Sequence, residues 1–163
     1  MFPVKESKVM KYILNTNNRL QLKLLSIDNV KSKTRFEPSQ KNIQMIHAIQ
    51  KYKNQDLDFI QCHYLNFMID SVQADMSSNV QYARMTVYKI QSFNACARKV
   101  IQKCYEILKK HDCTDHEKNN IILYVRSLST QLKANAEFCK KYNHFKVMTT
   151  HRKQLLDKMK ISV

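Results

Sequence analysis

The chain is 163 residues long and contains no glycine. At an average usage of about 7%, a chain of this length carries about eleven. Phosphate-cradling loops, dinucleotide-binding turns and nucleophile elbows need backbone that approaches a ligand closely or takes positive φ, and glycine does both at least cost. Those three site types are removed at once. Tight two-residue turns between strands lose their usual residue as well. Helices joined by polar turns survive such a composition best, and only Pro3 and Pro38 stand in their way.

The expected architecture is therefore all-α: an antiparallel bundle of five or six helices. Candidate helices run over 5–25, 39–53, 56–76, 78–110, 114–142 and 149–160. The first has a candidate break at "NTNN" (15–18), and the second and third can join through a bend near Asn54. Hydrophobic residues at 44% and charged ones at 25% describe a globular chain, and its length suits one helical domain over 1–163 with a core of ordinary size. Residues 26–38, polar, basic and closed by Pro38, read as a connector. No apolar run approaches the ~18 residues that span a bilayer. The first residues lack both an unbroken apolar stretch and a small-residue cleavage site, so they do not read as a secretory leader. Five cysteines is an odd number, which fits free thiols in a reducing compartment, cytoplasmic or nuclear. Secretion would require a leader already removed.

The helix at 78–110 carries the clearest pattern. Val80, Ala83, Val87, Ile90, Asn94, Ala97, Ile101, Cys104 and Leu108 recur by threes and fours, a heptad seam in which only Asn94 is polar. The next helix repeats it with Ile121, Val125, Leu128, Leu132, Asn135, Cys139 and Tyr142, again interrupted by one asparagine. Between them lies "CYEILKKHDCTDHEKNN" (104–120). Thr114 and Glu117 have capping-box spacing, Asp115 and Glu117 suit a helix start, and Lys109, Lys110 and His111 suit a helix end. The stretch reads as a tight reversal, making 78–110 and 114–142 a helical hairpin at the core of the bundle. A metal site would need Cys104, His111, Cys113 and His116 to converge at spacings that match no zinc pattern, so no metal is expected.

Folding the hairpin with Leu108 and Ile121 in one layer pairs Cys104 with Val125, Ile101 with Leu128, Ala97 with Leu132 and Ile90 with Cys139. It also sets Asn94 opposite Asn135. Two core amides in one layer satisfy each other and can fix the register, as a buried asparagine does in coiled coils. Segment 57–72 is expected to be covered on several sides, because Leu57, Ile60, Tyr64, Phe67, Met68 and Val72 share it with Phe59, Leu65 and Ile69.

Charge is the one functional clue. Residues 54–83 hold Asp56, Asp58, Asp70 and Asp75 and no Lys or Arg, a local −4; the total is +15, so the remainder carries +19. A positive field of that size fits an acidic protein surface or nucleic acid. The expected basic patch is Arg84, Lys89, Lys140, Lys141, Lys146, Arg152 and Lys153, with Tyr142, His144 and Phe145 as candidates for stacking on bases. Nothing in the sequence points to catalysis or a cofactor: no carboxylate pair stands beside a histidine at helical spacing. The chain reads as a non-enzymatic interaction or scaffold subunit that docks an acidic partner or a larger assembly. Direct nucleic-acid binding is the alternative, and a secreted helical signalling protein the second. The apolar stripe at 4–25 can dock within the chain or on another copy.

Overall fold

A computed structural model describes residues 7–110 and 112–162. His111 and the helix start expected at residue 5 lie outside the described residues. The described residues form four helices, α1 (Lys8–Lys31), α2 (Gln40–Lys51), α3 (Phe59–Lys110) and α4 (Asp115–Met159), and no strand.

The expected count of five or six falls to four, because 56–76 and 78–110 form one helix of 52 residues and 114–142 and 149–160 form one of 45. The polar clusters "SSN" (77–79) and "NH" (143–144) do not stop a helix. Ser, Asn and His cost less than about 0.7 kcal/mol each relative to Ala, whereas a stop needs proline, glycine or a competing cap. The stretch "NTNN" does not break α1 either: the Thr16 hydroxyl donates back to the carbonyls of Tyr12 at 2.8 Å and Ile13 at 3.1 Å, staying inside the helix. Helix α1 continues to Lys31, which shortens the expected connector.

Each helix starts on a side chain that accepts a first-turn amide. Ser7 accepts from the Met10 amide at 3.1 Å and Ser39 from the Asn42 amide at 3.3 Å. The two long helices start on reciprocal boxes. Asp58 accepts from the Gln61 amide at 2.8 Å while Gln61 accepts from the Asp58 amide at 3.0 Å. Thr114 and Glu117 do the same at 3.2 and 3.1 Å. Asp58 thus starts α3 later than the expected residue 56. The α2–α3 joint turns on Asn54, whose φ of 62° is the left-handed conformation. In a chain without glycine, asparagine is the residue that tolerates it best.

The residues group into two compact units. The first comprises the chain up to Ser32 with Thr86–Cys139, and the second Lys33–Met85 with the chain from Lys140 onward. In the first unit, α1 buries Thr16, Leu20 and Ile27 beside the α3 and α4 segments. There α3 buries Phe93, Val100 and Ile107 as well as Ile90, Ala97 and Cys104, a wider stripe than a two-helix seam, because α1 is packed into the same unit. In the second unit, Ile49, Leu65, Met68, Ile69, Val72, Met76 and Leu156 form one apolar cluster joining α2, α3 and α4. Among the described residues no buried side-chain nitrogen or oxygen lacks a hydrogen-bond partner, and no helix is long and apolar enough to cross a membrane.

Candidate functional site

The second unit holds a groove. Helix α2 contributes Ile43, Ile46 and Ile49 at three-residue spacing, and α4 contributes Arg152, Leu155, Leu156 and Met159 at i, i+3, i+4 and i+7. Leu65 and Met76 from α3 and Leu57 from the α2–α3 joint complete an apolar lining around a volume of about 920 Å³. That lies in the range of ligand clefts. The charged residues along it are Lys53, Arg152 and Lys158, all solvent-exposed, together with exposed His47. Among the described residues that line it there is no carboxylate.

Side-chain bonds hold the frame around this groove. The Asn42 amide donates to the Asp75 carboxylate, tying α2 to α3. Gln73 on α3 donates to the Asp157 carboxylate at 2.6 Å and to the Lys153 carbonyl at 3.1 Å on α4. Asn66 pairs like a backbone peptide with Ile161, donating to its carbonyl at 2.7 Å and accepting from its amide at 3.0 Å. Lys160 forms an ion pair with Asp70 at 2.6 Å, and that hydrogen-bonded carboxylate raises the Lys160 pKa.

Of the expected basic patch, Arg152 lines the groove. Lys140, Lys141 and Lys146 are exposed elsewhere on α4, and Arg84 is exposed on α3. Lys153 is half-buried and donates to the Ser77 hydroxyl at 2.6 Å. Lys89 belongs to the other unit, half-buried and donating to Ser26 at 2.6 Å. The stacking candidates separate as well. Tyr142 is only 6% exposed, which leaves no ring face for a base. Phe145 is half-buried and packs edge-on against Phe36, ring centres 5.3 Å apart. His144 is exposed.

The structure brings Asn94 and Asn135 together: the Asn135 amide donates to the Asn94 carbonyl oxygen at 3.0 Å. Asn135 is 1% exposed, and its own carbonyl oxygen accepts from Gln131 at 3.0 Å. At the start of α4, the Glu117 carboxyl is held below the ordinary glutamate range by the Thr114 backbone amide and then by the Ser7 hydroxyl. Burial pushes the Cys104 and Cys139 thiols up. All five cysteines are unpaired, and among the described residues no three of His, Cys, Asp and Glu gather where they could hold a metal.

Sequence reasoning missed two features of the second unit. The i, i+3, i+4, i+7 spacing of "RKQLLDKM" was a readable sign that α4 lines a groove. The coverage expected around 57–72 is incomplete: Ile60 is 77% exposed, Tyr64 53% and Phe67 60%, because α2 and α4 cover only the opposite face of α3. No family model, no curated protein and no solved structure matches this chain.

Proposed function

We propose that the chain is a non-enzymatic docking subunit whose second-unit groove accepts an acidic, amphipathic helix from a partner protein. The observation that carries this reading is an apolar groove edged by Lys53, Arg152 and Lys158 with no carboxylate among the described residues of its lining. An apolar helix face would fill the floor, and acids flanking that face would meet the three cations, the arrangement of helix-in-groove recognition. The positive field of the remaining surface would speed encounter with such a partner. Nucleic-acid binding has less support, because two of its three stacking candidates are occupied within the fold. Five unpaired thiols support a reducing, intracellular setting.

A fluorescein-labelled synthetic helix, with apolar residues at i, i+4 and i+7 and glutamates beside them, tests the reading by anisotropy. It binds the wild-type chain, and Leu155→Asp, which sets a carboxylate in the groove, weakens it at least about tenfold. Equal binding by both proteins would remove the groove from the reading.

A further inference from the structure

The face of α3 that no described residue of its own unit covers carries the same signature in complement. Ile60, Tyr64 and Phe67 lie at i, i+4 and i+7, the anchor spacing of a helix that enters a groove, and they span about 10 Å along the axis. Phe59 beside them is 68% exposed. Four large apolar side chains bare on one stretch of helix form the kind of patch that marks an interaction surface. The flanking charges are all acidic: Asp56, Asp58 and Asp70, in a segment with no Lys or Arg from 54 to 83. Asp70 is already paired with Lys160, so Asp56 and Asp58 supply most of the unmatched negative charge.

We infer that this ridge is an occupant of the groove, and that the occupied groove belongs to a second copy of the same chain. The inference rests on the reading of the groove as a receptor for acidic amphipathic helices, and it names the helix. Apolar anchors at the right spacing meet an apolar floor, and Asp56 and Asp58 of one copy meet Lys53, Arg152 and Lys158 of the next. The groove is lined from the buried side of α3, through Leu65 and Met76, whereas the ridge is on the opposite side of that helix. Donor and acceptor surfaces therefore differ. The contact is head-to-tail, and it builds chains or rings beyond a dimer. Short-range charge pairing makes it sensitive to salt.

Sedimentation velocity on the full chain tests this. Wild-type protein grows past a dimer with concentration at about 50 mM salt and returns to monomer at about 500 mM. A ridge variant, Ile60→Asp with Phe67→Asp, and a groove variant, Arg152→Glu with Lys158→Glu, are each monomeric. All four positions are exposed, so the fold is retained, and circular dichroism verifies that it is. Mixed one to one, the two variants form a dimer and stop there, because each supplies the surface the other lacks. A wild-type chain that stays monomeric overturns the inference, as does a groove variant that dimerises alone, which would place ridge on ridge. The labelled acidic helix, titrated into the ridge variant, separates this from the groove reading. Binding there, with a monomeric wild type, ends self-docking and keeps the groove; no binding to either protein ends both.

Discussion

Asn135 has both ends of its amide engaged, donating to Asn94 and accepting from Gln131, while nearly all of its surface is withdrawn from water. Replacing it by Ala strands two polar groups, so Asn135→Ala is expected to cost about 1–3 kcal/mol in urea unfolding. Replacing Asn94 and Asn135 together by Leu recovers most of that loss, while hydrogen exchange along α3 and α4 speeds up as the register loosens. A single-site cost under about 0.5 kcal/mol would mean that water serves the pair instead. Glu117 gives a pH signature. Its carboxyl is depressed in the fold, so its contribution is present above the unfolded value of ~4.3 and is lost as pH falls through the folded value. Glu117→Gln keeps the capping geometry but removes the titration, so stability measured between about pH 5 and pH 3 falls less steeply than in the wild type. The Asn94–Asn135 juxtaposition and the Thr114–Glu117 box were legible because each follows from counting positions along a helix. Phe93 and Val100 were not, since a two-helix register does not reveal the face that α1 closes.

Without glycine, a helix in this chain ends where a capping side chain or a left-handed asparagine stops it. Serine and asparagine clusters at 77–79 resemble stops, yet Ser77 is taken up by Lys153 and the helix runs through. The true break between α2 and α3 depends on Asn54 taking positive φ and on Asp58 opening a new capping box. Both signals were present in "KNQDLDFIQ", but only the bend at Asn54 was read from it. Asn54→Ala removes the short polar side chain that lets asparagine tolerate the left-handed region and is expected to cost about 1 kcal/mol, whereas Asn54→Gly, with no β-carbon, is neutral or stabilising; thermal melts of the two variants check the order. Equal melting temperatures would mean that the joint relaxes without the left-handed residue. The exposure of Ile60, Tyr64 and Phe67 escaped the sequence for a related reason. Apolar spacing reports that a face wants cover, and it does not report whether cover comes from this chain.

For the whole molecule, the charge imbalance read from the sequence and the groove found in the structure belong to one account. The sequence placed +19 outside a −4 segment, but it named seven basic residues as a patch, of which Arg152 alone lines the groove. Its companions, Lys53 and Lys158, lie far apart along the chain and come together only because α2 and the end of α4 flank the same apolar cluster. The most direct test is a charge exchange across the groove. Affinity for a glutamate-flanked amphipathic helix is measured against the wild-type chain and against Arg152→Glu with Lys158→Glu, and then for the same helix with lysines in place of glutamates. Each protein is expected to prefer the helix of opposite charge, by at least about tenfold at low salt and much less at high salt. A wild-type chain that binds both helices equally well, or a reversed chain that keeps its preference for glutamate, would contradict it.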